Sequence, residues 1–303
     1  MAKRSNTTSP WGKVVAAMEK WDAMISGSPV PAKRANKPPA HKSRLSPFLL
    51  AAEQGDAKAI EKLIHEGANV HEAADPKMAF YHGADALILA ARHGHLAAVK
   101  VLLRRGASVT TEAGYGSALG EAITHGHSNV VRLLVENGAR NFGYSLFNAI
   151  EGRHLEVFQE LTRAGIPFAS FRSRQGDSLL ESAIERKRDE IVRFLIGTGL
   201  KPNDGGPLVE SAGRGNVELS RLLIKHGANP NQVNRMRRYP LGMACSRGHK
   251  QIAEMLLNHG ADITLVDVRG WSCVDWARHG KHEDLVDWLD SIATKNGLRI
   301  PRQ

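Results

Sequence analysis

The chain has 303 residues, 42% of them hydrophobic, and its 41 Lys and Arg against 31 Asp and Glu leave a formal charge of +10. That is apolar material for one or two compact domains unless internal repetition changes the count, and the positive balance points to acidic proteins, nucleic acid or anionic lipid as partners. Two cysteines, Cys245 and Cys273, stand 28 positions apart without a CxxC, and no apolar run approaches the about 18 residues a membrane span needs, so a disulfide framework, a cysteine zinc knot and a membrane-spanning helix are excluded.

No hydrophobic core of signal-peptide length opens the chain, and a soluble protein of a reducing compartment is expected, in the cytoplasm or, in a eukaryote, the nucleus. Residues 1–26 contain Trp11, Val14, Val15, Met18, Trp21 and Ile25 at steps of three or four, the stripe of an amphipathic helix. Three fates suit it: docking into a partner's groove, covering the open end of the chain's main body, or lying on a membrane. Lys13 and Lys20 mixed with Glu19 and Asp22 on its polar face argue against lipid. Residues 27–45 form a basic, proline-rich linker with Lys33, Arg34, Lys37, Lys42 and Arg44, readable as plain tether or as a nucleic-acid or nuclear-import tail. The first 44 residues alone carry a net +7.

From residue 46 to 293 the chain repeats itself. Gly67, Gly106, Gly138, Gly165, Gly199, Gly227 and Gly260 recur at intervals of 39, 32, 27, 34, 28 and 33, and Ile292 continues the frame into an eighth copy. Twelve residues before these markers stand Gly55, Gly94, Gly126, Arg153, Lys187, Gly215, Gly248 and Gly280. On either side of that position lie two apolar stretches of helical period, the first rich in alanine (Ala90, Ala91, Ala122, Ala149, Ala183, Ala212, Ala244), the second in Leu and Val (Leu96, Val99, Leu102, Leu103). Each copy is thus a helix hairpin ended by a turn residue, too small to close its own core, and stacking must supply the rest.

With "SPFLLAA" (46–52), "DALILAA" (85–91), "YPLGMAC" (239–245), the G-H turns and the "GANP" of 227–230, the sequence resembles the ankyrin repeat family. The resemblance implies an all-α ankyrin-repeat solenoid of about eight helix-turn-helix repeats with β-hairpin fingers, followed by a C-terminal tail at 294–303. The two short intervals predict truncated fingers after Gly138 and Gly199. The long interval predicts an extended one at 69–83, and 166–176 and 229–239 should be long and basic. In the last copy Glu283, Asp284, Asp287 and Asp290 take outward positions, as a terminal cap requires. Trp271, Trp276 and Trp288 are expected to fill the terminal core, and both cysteines to be inert core residues.

The resemblance also assigns roles. His95, His127, His154 and His249 occupy the family's G-H position and are expected to be structural; one imidazole per copy gives a row, whereas zinc needs a closed cluster. One residue before the turn, His93, His125, Arg186, Arg214, Arg247 and His279 would form a cationic ladder facing the concave groove, interrupted by Gln54 and Gly152. Arg172 and Arg174 in "FRSR" and Arg235, Arg237 and Arg238 in "RMRR" would arm the finger tips. The expected function is a non-enzymatic interaction module, a scaffold, adaptor or inhibitor. It binds an acidic protein through groove and fingers, with Trp11 and Trp21 anchoring a second docking site. The alternative is a nucleic-acid-associated protein that grips phosphates with tail and finger tips. No G-x-S-x-G, Walker or H-E-x-x-H motif occurs, so no catalytic residue, metal, cofactor or small-molecule substrate is expected.

Overall fold

The computed structural model describes residues 45–302 apart from 79, 80 and 115. The expected N-terminal helix with Trp11 and Trp21, and the linker up to Arg44, lie outside the described residues.

Eight helix hairpins succeed one another among the described residues. They are α1 (Pro47–Gln54) with α2 (Ala57–His65), α3 (Ala86–Arg92) with α4 (Leu96–Arg104), α5 (Ala118–Thr124) with α6 (Ser128–Glu136), and α7 (Ser145–Glu151) with α8 (Leu155–Arg163). Then come α9 (Leu179–Glu185) with α10 (Asp189–Gly197), α11 (Pro207–Gly213) with α12 (Val217–Lys225), α13 (Pro240–Ser246) with α14 (Lys250–Asn258), and α15 (Cys273–His279) with α16 (Glu283–Lys295).

Local chemistry starts each first helix. Ser46, Asp85, Ser117, Ser178 and Ser272 each accept the N–H three residues on, satisfying a donor the helix leaves free, and Pro47, Pro207 and Pro240 occupy the first turn where no N–H is needed. The turn between the helices needs a left-handed residue. Gly55, Gly94, Gly126, Gly215 and Gly248 supply it, and Arg153, Lys187 and Lys281 adopt it at φ 61°, 55° and 60° despite carrying a side chain. In the eighth copy this corrects the sequence register by one residue: Gly280 is right-handed at φ −75° and Lys281 makes the turn.

The first helices stack on one another, as do the second helices, α3 lying between α1 and α5, and α13 between α11 and α15. Ala52, Ala90, Ala91, Ala122, Ala149, Ala183, Ala212, Ala244 and Ala277 are fully buried, so small side chains let neighbouring hairpins approach, while Val99, Leu102, Val131, Leu134, Leu161, Leu195, Leu223 and Leu256 close the core from the second helices. One continuous apolar core runs through the described residues from Phe48 to Ile300. It includes Cys245 and Cys273, both free and buried. The hydrogen bond shared with Cys273, and then burial, push the Cys245 thiol up, which keeps it protonated.

Strand pairing in the fingers is sparse and does not separate the short intervals from the long, since 229–239, expected to be long, has none. Glu112–Ala113 (β1) pairs antiparallel with Gly116–Ser117 (β2), and single bridges join Ala73 to Asp85 and Arg172 to Ser178; among the described residues no strand pairing occurs at 139–144 or 200–206. Most fingers are therefore tight loops with little ladder. The loops at 173–177, 234–238 and 267–271 are each closed by a backbone bond between their end residues, of 2.9, 2.9 and 3.1 Å, with a second, tighter turn bond inside each.

The two ends of the described stack contrast. In α16, Glu283, Asp284 and Asp287 are exposed and Leu285, Val286 and Leu289 face inward. The chain then turns back: the Leu298 N–H reaches Ala293 O at 2.8 Å, Ile300 is buried, and Arg302 pairs with Asp290. At the other end Leu50 remains 41% exposed.

Candidate interaction surface

Histidines following the turn act between repeats. His95 Nε2 lies 2.9 Å from Glu53 O and His127 Nε2 2.9 Å from Arg92 O, each bonding a carbonyl two residues before the previous repeat's turn glycine. His249 makes the equivalent bond to the Gly213 backbone. Each ring also lies over that glycine: a Cβ on Gly55, Gly94, Gly126, Gly215 or Gly248 would stand 2.4–2.7 Å from an atom of His95, His127, His154, His249 or His282. Where the turn residue does carry a Cβ, at Arg153 and Lys187, the next repeat offers no histidine but Arg188 and Asn216. Arg188 then donates to Ile150 O at 3.1 Å and Glu151 O at 3.0 Å, replacing the imidazole's bond. Glycine and histidine are one unit, shared by two repeats.

Burial depresses the pKa of His127 and His249 below the ordinary 6.5. The unfolded chain therefore takes up protons first as pH falls through about 6.5, and the stability these rings contribute when neutral is lost below it. Thermal denaturation should show Tm falling between about pH 7 and pH 5, and His127→Gln should flatten part of that fall.

The row just before the turn has another character. His93, His125, Arg214 and Arg247 are exposed and Arg186 is half-buried, and all cap first helices. The expected ladder is nonetheless not a free row of cations. Arg186 pairs with Glu151 at 2.7 Å and with Glu185 at 3.3 Å, and Arg214 with Glu210 at 2.6 Å. His125 Nδ1 contacts Glu121 O at 3.0 Å. His279, displaced by the one-residue shift, leaves the row and packs edge-on against Trp271, centroids 5.0 Å apart. Arg247 alone of the row's arginines has no carboxylate partner among the described residues.

The finger arginines divide likewise. Arg172 donates to Ala169 O and Phe171 O and pairs with Asp204; Arg235 donates to Gln175 O at 2.7 Å and lies 3.5 Å from Asp177. Arg174 sits over the Tyr144 ring at 4.9 Å. Arg237, left-handed at φ 56°, and Arg238 are exposed without an acidic partner among the described residues. The aromatics beside these arginines are occupied: Phe171 packs edge-on against Phe142 at 5.5 Å, and Tyr239 is buried, its hydroxyl donating to Trp271 O at 3.3 Å. Tyr239 is thereby unavailable to stack on a base, while Tyr144 beneath Arg174 is 50% exposed.

What sequence reasoning overlooked is the groove's floor. Four residues after each N-cap, the first helices carry Leu50, Leu89, Glu121, Asn148, Ser182, Glu210, Met243 and Trp276 in chain order, of which Leu89, Glu121 and Ser182 are buried and the others reach the surface. The row was readable once the repeats were aligned. It is polar from repeat three to repeat six and apolar at seven and eight. A cavity of about 650 Å3 spans repeats four to seven, walled by Tyr144, Arg174, Met236 and Arg238 over Glu151, Glu185 and Glu210. Two further cavities, of about 310 and 520 Å3, flank Arg247 and Met243. The tryptophans expected in the terminal core are only partly buried, and Trp276 opens onto the groove.

Among the described residues no three His, Cys, Asp or Glu side chains cluster to hold a metal, and no helix is long and apolar enough to cross a membrane. A stack of helix hairpins with a ridged concave face and projecting loops is a binding scaffold by architecture. The chain belongs to the ankyrin repeat family: the family described as ankyrin repeats (three copies) matches residues 48–142 and 207–296. The stretch between contains the non-glycine turns at Arg153 and Lys187, and there the hairpins persist without the sequence signature.

Among curated proteins, the ankyrin repeat and KH domain-containing protein mask-1 of Caenorhabditis elegans is 30% identical over 190 residues, which is 59% of this chain and 7% of that protein. A probable E3 ubiquitin-protein ligase, XBOS32, of Oryza sativa subsp. japonica is 27% identical over 61% of this chain and 32% of its own length. The chain thus spans a small part of these relatives. Among solved structures, the ankyrin repeat domain of Bcl-3, described as a unique member of the IkappaB protein family, aligns over 81% of this chain and 98% of its own, with a TM-score of 0.57 and 21% identity. The human ASB11 ankyrin repeat domain aligns over the same shares with a TM-score of 0.50. Ankyrin repeat domains are generally protein-protein interaction modules.

Proposed function

We propose that this chain is a non-enzymatic binding scaffold that receives an acidic segment of a partner protein on its concave face at repeats six to eight and on the finger tip at 235–238. The observation supporting this is the distribution of neutralised charge. Arg186, Arg214, Arg172 and Arg235 already meet carboxylates of the same surface, whereas Arg237, Arg238 and Arg247 meet none among the described residues. Unpaired guanidiniums around an open groove attract carboxylates from a distance, speeding encounter, and bond them on arrival. In this reading the segment at 10–25, with Trp11 and Trp21, is a second docking element, and two sites on one tether add avidity.

A fluorescein-labelled oligoglutamate peptide and a labelled single-stranded oligonucleotide test the proposal by anisotropy. The peptide should bind with a salt-sensitive affinity, and Arg238→Glu with Arg247→Glu should weaken it at least about tenfold and reduce the salt dependence. Arg237→Gly should raise stability by about 1 kcal/mol, relieving the left-handed strain, while weakening the peptide. An oligonucleotide that binds tighter than the peptide, with a steep salt slope, would overturn this in favour of a nucleic-acid role.

A further inference from the structure

Where the floor turns apolar, the groove contains a smaller feature of definite chemistry. Between α13 and α15 lies a cavity of about 310 Å3 lined by Arg238, Met243, Ser246, Arg247, Trp276 and His279. The wall formed by Trp276 is braced: Trp271 meets it edge-on with centroids 4.9 Å apart, and His279 does the same at 6.0 Å. A ring held from two sides presents its surface without an ordering cost on binding. The Met243 thioether, which lines the same cavity, is a soft contact suited to the edge of an aromatic ring. No carboxylate lines this cavity, and its two guanidiniums have no acidic partner among the described residues. In the adjoining cavity of about 520 Å3, Glu210 is engaged by Arg214.

We infer that this cavity takes an aromatic side chain of the partner, with the carboxylates that flank it in the partner's sequence reaching Arg238 and Arg247. The inference rests on the acidic-partner reading and makes it specific: the recognition element is an aromatic residue inside an acidic stretch. An acidic stretch alone would satisfy the arginines and leave Met243 and Trp276 wet. An aromatic residue among basic ones would bring like charges onto two arginines that have no acidic partner among the described residues. The cavity has room for one ring, and burying a ring against Trp and Met supplies affinity that exposed ion pairs do not.

Three labelled peptides of equal length test it against the full chain by anisotropy: glutamates around one central phenylalanine, the same with serine at the centre, and lysines around phenylalanine. The phenylalanine-glutamate peptide should bind about tenfold tighter than its serine counterpart. Met243→Gln, a change at a half-exposed position, should weaken the phenylalanine-glutamate peptide more than the serine peptide and so narrow the gap between them. Arg247→Glu should weaken both acidic peptides alike. Equal binding of the phenylalanine and serine peptides would overturn the ring pocket while leaving the acidic reading standing. Tightest binding by the lysine peptide would overturn both.

Discussion

Gly94→Ala should destabilise the chain by about 3 kcal/mol, more than most single-methyl additions in a folded domain. Two costs combine. The turn residue sits at φ 71°, where a Cβ costs about 1–2 kcal/mol, and that Cβ would stand 2.4 Å from His127 Nδ1, an overlap that adds about 1–3 kcal/mol as the ring moves aside. The ring cannot move freely, because its Nε2 is bonded to Arg92 O at 2.9 Å. His127→Asn alone should cost about 1 kcal/mol for that bond. The double variant should cost clearly less than the sum of the two, since asparagine, as Asn216, stands at the histidine's position in the repeat that follows the side-chain-bearing turn at Lys187. Urea denaturation measures the three losses, and hydrogen exchange should show repeats one and two opening first, because a stack loses cohesion at its weakest interface. Additive losses would mean that the imidazole and the glycine do not share one space.

That coupling also shows what the sequence made legible. The eight hairpins and the acidic outer face of the last helix follow from spacing and polarity, since helical period and turn chemistry are local properties. The eighth turn falls one residue later than the frame through Ile292 and Gly280 predicts. Left-handed backbone is cheap for glycine but open to Lys281, so the conformation, not the residue, marks the turn. The charge state of the groove was harder to read. Arg186 and Glu151 come from different copies, 35 positions apart, and only packing shows that the guanidinium turns to that carboxylate at 2.7 Å. A ladder of cations inferred from one column of residues omitted the neighbouring column, where Glu151 and Glu185 stand. The floor column, which ends in Met243 and Trp276, was equally visible in the sequence, yet its exposure depended on how far the fingers overhang it.

The second large effect lies in that same concave face, between repeats two and three. Arg92 Nε donates to Glu121 Oε2 at 2.9 Å, and the Glu121 side chain is only 7% exposed against 22% for Arg92. Glu121 stands on the groove floor, walled by the helices of its own and the preceding repeat, and the guanidinium that the earlier repeat extends pairs with it, while His125 Nδ1 lies 3.8 Å from the same carboxylate oxygen. Arg92→Ala should therefore cost about 2–3 kcal/mol, the lower part of the range for stranding a buried charge, because water retains some access on the arginine side. Arg214→Ala, which removes a partner from the exposed pair with Glu210 within one helix, should cost under about 0.5 kcal/mol. Replacing both members, Arg92→Leu with Glu121→Leu, should recover most of the loss, since no charge is then left buried. Equilibrium urea unfolding of these variants separates the two kinds of pair. If Arg92→Ala cost no more than Arg214→Ala, Glu121 would be hydrated in solution, and the floor of the groove at repeat three would be open to a partner's cation instead of closed by the protein's own.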